Sequence, residues 1–493
     1  MRYLFGFLCV CALGVMPLVG CSETTGDGGS GGTAGDGGTG GMAGNGGSAG
    51  TGGIAGSGGT GGMPECQNPE DCDDSNDCTE NTCTDGLCEF APLQDGSGCG
   101  DPEYTIGRCV AGDCRLFCET AEECDDRNDC TADACTPFGD ETVCENSMVD
   151  DGTPCAGGTC QAGVCALTGS VLPCSEQGIL NAIVEGGGPY TFDCKGPTTV
   201  VTEEGIVIDT DVVLDGGGNL TLDGNETADE VIGVEEGVTA ELYGIAVTRG
   251  RGEGILNGGT LTLASSIVSG NKRGGIGNAG NLTVMGVTVS DNTGLDGAGI
   301  FNRGTVSIVH STVSGNLSRG GGGGIINVGT STIVNSTVSG NRATAEGGGI
   351  SNESALTITN CTLSGNTSDE QKGSAIATVA GRTTVLTSTL IDGDCQGPLT
   401  SNGYNIESPG NTCFFDQTGD QASVPDPMLG PLQNNGGPTE THALEQGSPA
   451  VDQIPVEDCL DADGAPLATD QRGEPRPETG GTLCDVGAFE VQP

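Results

Sequence analysis

"GGGISNESALTITNCTLSGN", residues 347–366, nearly repeats "GGGIINVGTSTIVNSTVSGN" at 322–341. Moving outward, the same phrase stands at 297–316 ("GAGIFNRGTVSIVHSTVSGN"), 274–292 ("GGIGNAGNLTVMGVTVSDN") and 252–271 ("GEGILNGGTLTLASSIVSGN"), and decays at 373–394 ("GSAIATVAGRTTVLTSTLIDGD"). Ile255, Ile276, Ile300, Ile325, Ile350 and Ile376 mark a period of 21, 24, 25, 25 and 26 residues. Asn257, Asn278, Asn302, Asn327 and Asn352 follow two positions later, with Thr378 in the sixth copy. A second column holds Asn271, Asn292, Asn316, Asn341 and Asn366. A period in this range predicts a solenoid. The β-branched runs between Gly and Asn bends predict three short strands per turn, a parallel β-helix over residues 170–420.

Alternation assigns the faces. Leu363 aligns with Val268, Val289, Val313 and Val338, an interior column. Cys361 lies two residues earlier, with Ser266, Val287, Ser311, Ser336 and Ser388, so a period of two places it inside as well. Thr362 and its equivalents are then expected to face solvent. Stacked strands bring identical residues to about 4.8 Å. The asparagines are therefore expected to hydrogen-bond up the stack, and they tolerate left-handed backbone at the bends, as Gly does.

Composition agrees with a core of small side chains: 92 of 493 residues are Gly, Trp is absent and aromatics make up 3%. The formal charge of −52 argues against nucleic acid or an anionic lipid surface as a partner, because phosphate would be repelled. A glycan, matrix or protein ligand remains open.

Ahead of the solenoid the chain changes character three times. Residues 1–21 read as an export leader, with Arg2, an apolar run and "LVGC" ending at Cys21. Residues 22–64 are Gly, Ser, Thr and Ala with a few acids, a flexible disordered tether spanning about 35 Å. Residues 65–165 hold 16 cysteines as two copies of eight, sharing "CDDSNDCT" and "CDDRNDCT". In an exported chain this predicts a disulfide-rich loop module; zinc is disfavoured because the region contains no His and no CxxC pair. Asp73, Asp74, Asp77 and Asp125, Asp126, Asp129 are calcium candidates, although turn formation explains the same residues and no cofactor is expected.

"CSEQGILNAIVEGG" at 174–187 predicts a short helix capping the solenoid, with Ser175 as N-cap and Ile179, Leu180 and Ile183 apolar. Proximity suggests local disulfides Cys174–Cys194, Cys395–Cys413 and Cys459–Cys484, leaving Cys361 free.

Four resemblances add to this reading. "LVGC" resembles a bacterial lipobox, which implies cleavage before Cys21 and acylation of its thiol; Ser22 after it implies the outer membrane of a Gram-negative cell, with the membrane reached through lipid alone. "DCDDSNDCT" and its twin are similar to the slime-mould-type cysteine-rich repeats of surface proteins. "GGGI" followed by "VSGN" resembles the repeats of polymorphic outer membrane proteins, which implies a right-handed parallel β-helix. Over 421–493, "DPMLGPLQNNGGPTETHALEQGSPAVD", "DQRGEPRP" and "CDVGAFE" resemble the choice-of-anchor Q domain of bacterial surface β-helix proteins.

Chemistry is sparse. Lys272, Arg273, Arg319, Arg342 and Arg382 fall in turns and could form a ragged basic stripe. Asp209, Asp211, Asp215 and Asp223 are the densest carboxylates but flank turn glycines. His310 heads one strand, and His442 is the only other histidine. No catalytic residue, nucleophilic triad or phosphate loop emerges. The expected function is a lipid-anchored, surface-displayed protein with a structural or adhesive role, the alternative being a carbohydrate-active enzyme, a polysaccharide lyase or hydrolase.

Overall fold

Backbone pairing follows the repeat. In the computed structural model, which describes residues 78–493 apart from 85–86, 95, 100–106, 111–112, 140, 162, 203 and 463, one turn consists of Ile350–Asn352, Ala355–Thr359, Thr362–Ser364 and Thr367–Ser368. The first three strands pair in parallel with their counterparts one turn before and one turn after, and the last with its counterpart in the preceding turn. The isoleucine strands stack into a nine-stranded sheet, beside a nineteen-stranded and a four-stranded one. The chain is nearly all β, a parallel solenoid of about nine turns behind a disulfide-rich region.

The strand count per turn needs correction. The nineteen-stranded sheet takes two strands from each repeat, separated by two residues of which the first is in left-handed backbone. Ser265, Gly286, His310, Asn335, Asn360 and Ser388 fill that place, with φ between 45° and 62°. The ten predicted ladder asparagines do not adopt left-handed backbone; it falls on this column and on Gly270, Asp291, Gly315, Gly340 and Gly365, one residue before the second ladder.

Both asparagine columns are buried. In the first, Nδ2 of Asn257, Asn278, Asn302 and Asn327 donates to Oδ1 of the next asparagine at 2.7–2.9 Å. In the second, Asn271, Asn292, Asn316 and Asn341 do the same at 3.0 Å. Between these columns the interior is aliphatic: the isoleucine column and the Leu363 column are at most 1% exposed.

The serine column also points inward, and it has a task. Ser266, Ser311 and Ser336 each accept from the backbone N–H that leaves the bend one turn earlier, at 3.1–3.2 Å. Cys361 replaces serine there; its thiol is wholly buried and donates to Thr359 O at 3.2 Å. Burial pushes that thiol up to about 12.

Thr362 points outward, as the alternation requires, but it does not face solvent. Thr312, Thr337 and Thr362 are at most 2% exposed because the C-terminal region lies over them. Only earlier in the stack is the column open, at Ile267, which is 48% exposed.

Helix α1, Glu176–Glu185, closes the first turn. Ser175 accepts from Gly178 N–H, Gly186 ends the helix at φ 69°, and Ile179 and Ile183 are buried. Cys174 pairs with Cys194, Cys395 with Cys413 and Cys459 with Cys484. In the second cysteine copy the bonds are Cys118–Cys135, Cys124–Cys144, Cys130–Cys160 and Cys155–Cys165. Cys78–Cys109 and Cys99–Cys114 repeat the last two of these in the first copy. The module docks on α1: Arg127 pairs with Glu176 and donates to Gly205 O at 3.1 Å, and Asn181 donates to Ala156 O at 2.8 Å. Cys21, the 22–64 tether and Asp73, Asp74 and Asp77 lie outside the described residues.

These contacts set an ordered series of substitutions. Cys361→Ser is expected to be nearly neutral, because serine is the residue that performs this role in neighbouring turns. Leu363→Asp is expected to cost at least about 4 kcal/mol by burying an unpaired charge. Denaturant unfolding of both variants checks the order, and a maleimide probe is expected to leave Cys361 unlabelled until the protein unfolds.

Candidate functional site: the docked C-terminal region and its groove

Polar side chains that sequence reading left unassigned converge where residues 429–491 lie over the outward threonines. Gln471 is fully buried and spans two turns. Its Nε2 donates to Thr312 Oγ1 at 2.9 Å and Thr439 Oγ1 at 2.8 Å, while its Oε1 accepts from Thr337 Oγ1 at 2.6 Å. Thr362 Oγ1 accepts from Ala488 N–H at 3.0 Å, beside Gly487 at φ 100°. A Cβ on Gly487 would lie 2.8 Å from that same oxygen, so the close approach requires glycine. The bend residues join in: Asn335 donates to Thr469 O at 2.7 Å and Asn360 to Leu460 O at 3.0 Å.

Beneath this contact lies a charged cluster. Arg476, Glu490, Asp470 and Asp485 are all at most 3% exposed. Arg476 reaches Gly487 O at 2.9 Å and Asn335 Oδ1 at 3.3 Å, and its Nε sits 3.1 Å from Glu490 Oε2 outside hydrogen-bond alignment. Arg472 pairs with Asp470 and lies over the Phe489 ring, 3.6 Å from its centroid. Burial, opposed by Arg476 and reinforced by Asp485, pushes the Glu490 carboxyl up to about 7. Asp485 is raised too, again mainly by burial.

Both histidines serve the same docking. His442 is buried, with Nδ1 2.7 Å from Gly430 O and Nε2 2.8 Å from Ser339 Oγ. Nδ1 therefore carries the proton, and Ser339 donates to Nε2. Burial lowers the pKa of the ring, which keeps it neutral. His310 occupies the left-handed bend column, its ring 3.3 Å from Asn335 Nδ2 and its carbonyl accepting from Thr439 Oγ1 at 3.1 Å.

Among the described residues, the remaining candidates make local contacts. In the basic stripe Lys272 pairs with Glu226 and Arg342 with Asp369. Asp223 is held by Arg249 at 2.8 Å, Asp215 accepts from Gly217 N–H, and Asp211 accepts from Thr239 N–H. Of the calcium candidates, Asp125 and Asp126 approach Asp133 rather than Asp129, with their oxygens within 4.8 Å of one another. Asp129 instead accepts from Ala156 N–H at 2.8 Å. Asp125 and Asp126 also cap turn N–H groups of Arg127 and Asn128, so the turn role is real. Asp133 Oδ1 is buried without a partner, and its carboxyl is raised by burial and by the two neighbouring acids. These three are the described carboxylates best placed to hold a divalent ion.

A groove opens beside the docked region. It holds about 490 Å³ and is lined by Thr357, Thr359 and Thr387 on the solenoid, Asn402 and Tyr404 at its end, and Asp458, Leu460 and Asp461 opposite. Tyr404 lies outside the repeat, and no motif pointed to it.

Comparison with known proteins reaches only a fraction of the chain. The Dictyostelium discoideum protein psiR is 40% identical over 90 residues, 16% of this chain and 8% of that protein. Protein psiQ of the same organism is 33% identical over 101 residues, 19% of this chain and 10% of that protein. The chain thus spans about a tenth of the length of these relatives or less. No family model and no solved structure matches it.

Two outcomes test the docking. Thr362→Asp is expected to destabilise by at least about 3 kcal/mol, since an outward residue here is buried. Protonated Glu490 stabilises the docked state. Its folded pKa stands above the ordinary value, so this contribution is complete below about 4.5 and fades as pH rises through about 7. The thermal midpoint is therefore expected to fall between pH 5.5 and 8, and to fall less in Glu490→Gln, which keeps a neutral side chain at both values.

Proposed function

We propose that the chain is a lipid-anchored, surface-displayed β-solenoid with a structural or adhesive role, held at the outer membrane by acylated Cys21. The observation that carries this reading is the employment of the reactive side chains. His442, Gln471 and Arg476 hold the C-terminal region to the solenoid, and the His310 ring is engaged by Asn335 within the solenoid. What stays open is an uncharged face of stacked Thr262, Thr283, Ser307, Thr332 and Thr357 and the groove at its end. Such a surface suits binding.

The resemblance to the choice-of-anchor Q domain supports the same reading. Its "DQRGEPRP" and "CDVGAFE" segments contain Asp470, Gln471, Arg472, Arg476, Asp485, Gly487 and Glu490, the residues that dock the tail here. Among the described residues no helix is long and apolar enough to cross a membrane. The lipid on Cys21 is proposed as the anchor on the strength of "LVGC".

Two measurements test this. Mass spectrometry of the mature N-terminus is expected to find diacylated Cys21, and an unmodified or differently cleaved terminus rejects the anchor. A glycan and matrix-polymer screen of the 66–493 fragment is expected to give binding without products. Cleaved or unsaturated products would establish the alternative, a polysaccharide lyase or hydrolase.

A further inference from the structure

We propose that the groove between Tyr404 and the 458–464 loop binds an amino sugar, a saccharide carrying a protonated amine. This rests on the binding role argued above and assigns it a place and a ligand class.

Tyr404 is the first reason. It is a bulky residue at φ 57°, a conformation that persists only where surrounding contacts impose it. Three contacts do so. Its N–H donates to Thr418 O at 2.9 Å, its hydroxyl donates to Asp458 Oδ2 at 2.7 Å, and its ring packs on Gly419. A Cβ on Gly419 would stand 2.2 Å from the ring, so that position is kept clear of any side chain. In a chain with 3% aromatics, one ring is thus fixed in the wall of a groove large enough for one or two sugar units.

Charge selects the class. Asp458 and Asp461 stand on the wall opposite the solenoid, and the lining contains no cation. A chain of net charge −52 repels uronate and sulfated glycans and attracts an ammonium. Thr357 and Thr387 on the floor and the Asn402 amide supply neutral donors and acceptors of the kind that meet sugar hydroxyls. The hydroxyl of Asp458-bound Tyr404 stays protonated, its pKa pushed up to about 12 by that carboxylate, so it adds no charge of its own.

The test uses the full chain in detergent and three tetrasaccharides: glucosamine, its fully N-acetylated form and galacturonate, titrated by calorimetry. The glucosamine tetramer is expected to bind at least about tenfold more tightly than either of the others, an affinity difference that added salt erodes. Asp458→Asn is expected to weaken it about tenfold with an unchanged thermal midpoint. If that variant is destabilised, Thr357→Arg, which places a cation on the open floor, is expected to do the same. Equal binding of the acetylated or anionic tetramer, or full affinity in folded Asp458→Asn and Thr357→Arg, overturns the groove assignment while leaving the binding role standing. Absence of binding to all three overturns the assignment as well, and the binding role falls with it only if the wider glycan and matrix screen is also empty.

Discussion

A buried asparagine side chain has four hydrogen-bonding positions to fill, and in this molecule the neighbouring turns fill them. Asn316 shows the arrangement. Its Nδ2 donates to Asn341 Oδ1 and to Val289 O, and its Oδ1 accepts from both N–H and Nδ2 of Asn292, all at 3.0 Å. Satisfaction depends on the same residue standing above and below, in register. A slip of one residue would turn every interior aliphatic outward and strand two columns of amides at once. The ladder therefore adds to the register that the aliphatic alternation sets, because even a two-residue slip, which keeps the faces, would break it. Its boundary shows the cost of a missing neighbour. Asn257 Oδ1 is buried without a partner, because Val234 occupies the preceding turn and offers no side-chain donor. At the other end Asn352 turns to Thr384 Oγ1 at 2.9 Å, where Thr378 has replaced asparagine.

A stack of turns fixed this way is uniform, and uniformity makes its outer face a poor place for chemistry. Differences must come from what is laid over it. The C-terminal region reads that face: Gln471 touches threonines of two successive turns, and Gly487 seats on a third. Docking buries three carboxylates with two arginines, an arrangement short of positive charge by one. A proton retained on Glu490 toward pH 7 restores the balance. Cooperative coupling follows, since the tail contributes only when all these partners are in register.

The repeat was legible because its signal is local. Period, interior columns and ladder pairing all follow from residues at most 26 apart, read against the two-residue alternation of strands. Exposure of Thr362 was not legible, because what covers it comes from Gly487 and Ala488, more than a hundred residues away. The left-handed bend escaped for another reason: Ser265, Gly286, His310, Asn335, Asn360 and Ser388 share a conformation but no residue type. The docking residues were visible only as a resemblance in "DQRGEPRP" and "CDVGAFE", with nothing in spacing to say what they touch. Tyr404 carried no signal, since it stands beyond the last copy of the repeat.

Parallel solenoids leave an unpaired strand at each end, a template for another chain. Here α1 and the cysteine module cover the first turn through Arg127 and Asn181, and the Cys395–Cys413 bond ties down the last. The tail covers the outward threonines from Thr312 onward but not Ile267. On the binding role proposed above, the places left for a ligand are the open threonine face and the seam where tail and solenoid meet. The seam is the richer of the two. It brings the Tyr404 ring, the Asp458 and Asp461 carboxylates and the Asn402 amide together beside hydroxyls that the repeat supplies at a fixed spacing. The selectivity proposed for the groove would then be a property of the junction between the regular and irregular parts of the molecule.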